Sequence, residues 1–112
     1  MRPTFHLIPV AEWESSDPGS ALVRDSLADE GFVHCTDGLD ALMATAQRHY
    51  RDDPRGFLAL TIDLELVSSP WRYDEPGSPY PHIYGPIDRV AIVRSDAVKR
   101  GPDGAYLGLV ER

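Results

Sequence analysis

The chain predicts a small α+β domain, and three observations carry that prediction. Strand-like and helix-like segments alternate as β-α-β-α-β before a β-rich end. One stretch, 38–51, has an apolar stripe at helical spacing. Ten prolines and nine glycines punctuate the chain most densely in its second half, so long ordered loops are expected there. A length of 112 residues provides for one core and not two, so residues 1–112 form a single domain.

The elements follow in order. Residues 4–8 (Thr-Phe-His-Leu-Ile) form a short strand. Pro9 suits a first helical position, and Val10–Ser15 with Trp13 makes a short first helix. Asp17-Pro18-Gly19 is a turn. Residues 31–35 form a second strand, opened by Gly31 after Asp29-Glu30. Thr36 or Asp37 then caps the longer helix through its side-chain oxygen. Leu39, Leu42, Met43, Ala46 and Tyr50 supply that helix's apolar stripe, and Asp52-Asp53-Pro54-Arg55-Gly56 ends it. Phe57–Asp63 is apolar and β-branched, as a central strand requires. Residues 68–89 hold five prolines, three tyrosines and a tryptophan without any period. A connection this long is usually functional, and its aromatic content favours order. A strand is expected at Val90–Arg94 and a last one at Ala105–Val110, after the turn Gly101-Pro102-Asp103-Gly104.

Composition narrows the function. Lys+Arg is 11 against Asp+Glu 18, a net charge of −7. Such a surface repels phosphate backbones and anionic lipids, so neither nucleic acid nor a membrane is the expected partner. No apolar run approaches the roughly 20 residues of a membrane span. The first residues lack the apolar stretch of a signal peptide. One cysteine makes no intrachain disulfide, and a cytoplasmic location follows as the simplest expectation.

The chemistry is concentrated in histidines. Three of the four stand among β-formers: Phe5-His6-Leu7, Gly31-Phe32-Val33-His34-Cys35 and Tyr80-Pro81-His82-Ile83-Tyr84-Gly85-Pro86. An imidazole on a half-buried strand either satisfies its nitrogens inside the protein or uses them on a ligand. A single such histidine is explained by core packing; three suggest one pocket lined by imidazoles. Zinc would be a competing use of His6, His34, Cys35 and His82. Adjacent strand residues face opposite ways, however, so His34 and Cys35 cannot share a metal, and no metal-binding spacing is present. No metal is expected, and Cys35 faces the core. His49, between Arg48 and Tyr50 near the end of the longer helix, is explained by the helix macrodipole and is assigned no function. Trp71-Arg72-Tyr73-Asp74-Glu75-Pro76 reads either as a solvated loop or as a flap offering stacking surface and a carboxylate. An aromatic residue before Pro81 favours a cis bond that would aim His82.

At these residues the chain resembles a bacterial family labelled domain of unknown function 952. The strings Phe-His-Leu, Glu-Gly-Phe-Val-His-Cys-Thr and Tyr-Pro-His-Ile-Tyr-Gly-Pro-Ile carry the likeness, over about residues 4–95. That family is similar in fold to ADP-ribosyltransferases, which implies a split β-sheet core. In the RNA 2′-phosphotransferase branch, a first-strand histidine and a second histidine followed by Ser or Thr flank NAD. His6, Glu30-Gly31-Phe32 and Val33-His34-Cys35-Thr36 match that arrangement. The resemblance implies an uncharacterised protein that binds NAD or a related nucleotide in a histidine-lined cleft. It also implies ADP-ribosyl transfer or cleavage of the NAD glycosidic bond as the chemistry. His6, His34, Thr36, Trp71 and Tyr84 would bind the ligand, and His34, His82 and Asp74 would act on it, with Glu75 the other available carboxylate.

The chain departs from that pattern in three places. Leu7 and Ile8 replace a glycine and a small hydroxyl residue, Tyr73-Asp74 replaces the usual Trp-Glu, and a late glutamate has no counterpart. Arg24, Arg48, Arg51 and Arg72 look too scattered for a phosphate patch. Two other functions remain open: a non-catalytic ligand-binding or protein-interaction module, and an NAD-independent acid–base enzyme built on His34 and His82.

Overall fold

A computed structural model describes residues 1–112. Its first strand, β1 (Pro3–Pro9), alternates as a half-buried strand should, with Thr4, His6 and Ile8 buried and Phe5 and Leu7 half-exposed. Pro9, at φ −57°, leads into α1 (Val10–Ser15), as its fixed φ allows. Asp17 closes the next turn through its own carboxylate, which accepts from the Gly19 amide at 2.9 Å. A one-turn helix, α2 (Ser26–Asp29), precedes the two-residue strand β2 (Val33–His34).

The longer helix, α3 (Leu39–Tyr50), falls where its stripe places it, with Leu42 and Ala46 buried. Its cap differs from expectation. Gly38 occupies the N-cap at φ 85° and no side chain caps the helix. Asp37 is drawn away to accept from the Tyr73 hydroxyl at 2.5 Å, while Thr36 is held in a strand-like bridge to Phe5.

β3 (Phe57–Asp63) is buried at every position, the signature of a strand covered on both faces. The expected loop 68–89 contains two short strands, β4 (Trp71–Tyr73) and β5 (Pro81–Ile83). The Tyr80–Pro81 bond is trans, like every other peptide bond in the chain; His82 is aimed by strand pairing instead. The strand expected at 90–94 begins later, because Arg89–Ala91 forms a 3₁₀ turn that leaves Val90 exposed. β6 (Ile92–Arg100) then turns through Gly101–Gly104 into β7 (Tyr106–Glu111).

The strands form two antiparallel sheets, in the orders β1-β3-β6-β7 and β2-β5-β4. They touch through a single bridge, in which Phe5 and Thr36 exchange main-chain hydrogen bonds of 2.9 and 2.8 Å. The result is one sheet split beside β1. Between the halves lies the main core, including Ile8, Leu58, Leu60 and Ile62 from the larger sheet and Val33, Cys35 and Ile83 from the smaller. Each fully buried Leu, Ile or Val contributes about 1.5–3 kcal/mol.

α3 is fastened elsewhere, to β7. Gln47 donates to the Tyr106 carbonyl at 3.2 Å, and the Tyr106 hydroxyl donates to the Tyr50 carbonyl at 2.8 Å. No helix is long and apolar enough to cross a membrane.

Candidate functional site

Strand alternation builds one wall of the site. Val33 faces Ile83 and His34 faces His82 across β2 and β5, while Trp71 and Arg72 lie opposite Ile83 and His82 on β4. The odd-numbered residues of this sheet turn to the core: Val33 and Ile83 are fully buried and Cys35 is 1% exposed. The even-numbered ones form a row across three strands, Arg72–His82–His34, on the other face. Thr36, Asp74, Tyr84 and Phe32 extend that row two residues along their own strands.

The row is tied together by contacts. His82 stacks on Phe32 at 3.9 Å with the planes 17° apart, and the His34 ring lies edge-on to His82 at 5.6 Å. Asp74 sits behind His82, accepting from its Nδ1 at 2.6 Å, from Arg72 Nε at 2.7 Å and from the Tyr84 hydroxyl. These donors, the Tyr84 hydroxyl foremost, hold the Asp74 carboxyl at about 2, below the ordinary aspartate range. The same bond pushes the Tyr84 hydroxyl up. His82 Nε2 has no protein partner. On the other side of the row, His34 Nε2 lies 2.7 Å from a Glu30 carboxylate oxygen.

The opposite wall comes from β1. His6 Nδ1 is 2.7 Å from the His34 carbonyl oxygen, which can only accept, so Nδ1 carries the proton. Arg24 Nε donates to His6 Nε2 at 2.9 Å, and Arg24 Nη1 pairs with Glu12 at 2.9 Å. His6 is therefore a neutral imidazole with both nitrogens engaged. Burial, first of all, brings it down from 6.5 to about 4. It fixes the position of Arg24 and of the β2 backbone.

Two adjoining hollows flank the β2 segment, about 270 Å³ on the side of α3 and the β4–β5 connection and 220 Å³ on the side of β1. His34 and Thr36 line both. The smaller also meets His6, Arg24 and Glu30; the larger meets His82, Asp74, Glu75, Arg48, His49 and Tyr80.

Set against the sequence expectations, His6, His34, Thr36, His82 and Asp74 come together. Tyr84 joins them through Asp74 and an edge-on contact with the His82 ring at 6.4 Å, but it lines neither hollow. Trp71 does not enter the cleft: paired with Ile83, it turns to the core side and lies under the Arg2 guanidinium, 5.3 Å from the ring centroid. Sequence reasoning passed over Phe32, treated Arg24 and Arg48 only as scattered cations, and assigned His49 no function. For Phe32 the signal was present, since it alternates with His34 and Thr36. Arg24 lies in an irregular segment that gives no period to read.

Cys35 is the core residue expected, and burial pushes its thiol well up, with Asp37 adding to the shift. Iodoacetamide should therefore leave the folded protein unlabelled and modify it quickly in urea. Rapid labelling in native buffer would show the β2 segment to be open.

The family described as protein of unknown function (DUF952) matches residues 7–95 of this chain. The chain belongs to that family. The match begins one residue after His6 and ends within β6, so it takes in the whole Arg72–His82–His34 row. No curated protein matches the chain.

Among solved structures, the chain is similar to protein CC0527 from Caulobacter crescentus. The crystal structure of that protein superposes with a TM-score of 0.73 at 20% identity, covering 94% of this chain and 93% of that one. A crystal structure of its double mutant gives 0.71 at 21% identity, with 94% and 93% covered. The solution structure of CC0527 gives 0.68 at 19% identity, covering 93% of this chain and 90% of that one. At such identities the likeness establishes the fold alone, and the family's own description assigns no activity.

Proposed function

We propose that the cleft binds NAD or a related nucleotide and that the chain acts on the bond to its ribose. The observation that carries this reading is the Asp74–His82 pair standing beside His34 on one wall of a split sheet, with His6–Arg24 on the other. The split itself supports the likeness to ADP-ribosyltransferases that the histidine strings suggest.

The residues present suit such a ligand. Pockets for bound small molecules run from about 300 to 1,000 Å³, and the two hollows meet at His34 and Thr36. Imidazoles, hydroxyls and two guanidinium groups match ribose hydroxyls and phosphate oxygens, and the Phe32–His82 stack offers an apolar face. When bound, NAD supplies a ribosyl carbon attached to a good leaving group, nicotinamide.

The chain's own groups divide the work. Asp74 stays ionised at neutral pH and fixes His82 with Nδ1–H toward it, which leaves Nε2 to accept or return a proton. Arg72 and Tyr84 hold Asp74 in place. With three donors on it, Asp74 is a positioning residue for His82 and not a free anion facing the ligand. That part falls to Glu30, whose charge beside His34 stabilises positive charge developing on the ribose.

An amide NMR titration with NAD tests the reading. Saturable shifts are expected at His6, His34, Thr36 and residues 71–85. His34→Ala should keep the fold and weaken binding at least tenfold, about 1.4 kcal/mol. Asp74→Asn should retain binding and lose any NAD turnover. Silence at millimolar NAD and at millimolar nicotinamide mononucleotide would overturn the nucleotide reading. A bell-shaped rate profile on an unrelated small molecule would then favour an acid–base enzyme using the same dyad.

A further inference from the structure

Arg48 and His49 close the α3 end of the larger hollow. By position they are the cations expected to complement the negative end of a helix. In the structure that task belongs to Arg100. Its guanidinium reaches from β6 to the carbonyl oxygens of Arg51 at 2.8 Å, Tyr50 at 3.4 Å and Asp53, and so satisfies the open carbonyls after α3. Arg51 is occupied with Asp103 at 3.4 Å. Arg48 forms no ion pair with any carboxylate and lies exposed beside the Tyr80 hydroxyl. A free guanidinium and an imidazole thus border a concave site in a chain whose net charge is −7.

The carboxylates around this hollow are accounted for in turn. Asp74 is committed to Arg72, His82 and Tyr84. Glu75, from the β4–β5 connection, is the unpaired one. The remaining polar lining is rich in donors, namely the hydroxyls of Thr36, Ser78 and Tyr80. A guanidinium fork with neighbouring N–H and O–H groups is the arrangement that recognises phosphoryl oxygens.

We infer that the α3 end of the cleft is a phosphoryl subsite, in which Arg48 and His49 receive the phosphomonoester group of a phosphorylated nucleoside. The inference rests on the nucleotide reading for the nucleoside half and on Arg48 and His49 for the phosphate half. It names the class of ligand for the site: nucleotides ending in a phosphomonoester, in preference to bare nucleosides.

The experiment compares nicotinamide riboside, nicotinamide mononucleotide and inorganic phosphate by NMR titration of the full chain at pH 7. The mononucleotide should bind at least tenfold more tightly than the riboside. In Arg48→Gln/His49→Gln the two affinities should become equal, and the single Arg48→Gln should account for most of that loss. Both positions are exposed on a helix surface, and circular dichroism checks that the fold survives. Glu75→Gln should tighten the mononucleotide about twofold to threefold by removing a repelling charge.

Equal affinities in the wild-type protein, or an unchanged ratio in the double variant, would overturn the subsite and leave the nucleotide reading intact. Phosphate shifts at Arg48 and His49 that the double variant abolishes, with neither nucleoside form binding, would overturn the nucleotide reading and the ligand class named here, and leave only an anion site. Silence toward all three probes would overturn both.

Discussion

Arg100→Ala should cost the fold about 3 kcal/mol, although the residue belongs to no core. Its guanidinium donates to carbonyls of Tyr50, Arg51, Asp53, Arg55 and Gly104 and lies over the Tyr106 ring, 4.4 Å from the centroid. A helix end and a tight turn leave such oxygens open, and of the five only the Tyr50 oxygen accepts from other donors, Tyr106 and the Asp53 amide. Each charge-assisted bond contributes about 1.5–3 kcal/mol, and bonds sharing one head group are not additive. A domain of this size is stable by about 5–15 kcal/mol, so the loss is a large share. Urea unfolding should show a lower midpoint with an unchanged slope. Arg100→Lys should recover less than half, because an ammonium group cannot span the set as a planar fork does. A loss under about 1 kcal/mol would mean that water replaces the guanidinium without penalty.

Acid should destabilise the protein through His6 well before the carboxylates respond. Burial holds its folded value at about 4 against 6.5 for the free side chain. Between those values the unfolded chain takes up a proton that the folded chain refuses, so stability falls as pH drops from about 6.5 to 4. At 1.36 kcal/mol per unit the full loss is about 3 kcal/mol. Asp53 and Asp74, each held at about 2 by hydrogen-bonded partners, lose their contribution at lower pH. The geometry agrees with the direction, since a proton on Nε2 would meet the Arg24 N–H head-on. Unfolding of the wild type and His6→Gln at pH 7.5 and 4.5 isolates the effect. The variant should start less stable and lose less than the wild type over that interval. Parallel losses would place the proton uptake on another group.

The parts of the fold that sequence reveals are those with a period long enough to count. α3 announces itself by Leu42 and Ala46 at helical spacing, and β3 by seven consecutive residues that can all be buried. β4 and β5 are three residues each and bordered by prolines, so no alternation accumulates. What makes them strands is pairing, β4 with β5 and β5 with the distant β2, and the second of these is a long-range fact. The site divides along the same line. His34 and His82 are recognisable as unusual, but their being opposite one another is a matter of register. The supposed flap Trp71–Asp74 sends Trp71 inward and Asp74 outward because it is a strand. The macrodipole accounts for His49 in the sequence, and only the position of Arg100 on β6 removes that explanation.

The split sheet means that this chain cannot be divided into a part that binds and a part that supports. A fragment from His6 to Tyr84 would hold every residue of the Arg72–His82–His34 row. It would also leave β3 bare along the edge that β6 covers, and α3 without the guanidinium that closes its last turn. Beginning after His6 would leave Arg24 with Glu12 alone and remove the contact to the His34 carbonyl. The shortest piece that preserves the cleft therefore runs from the first strand through β7, whose Tyr106 fastens α3. The scaffold and the site are one unit of inheritance and one unit of manufacture.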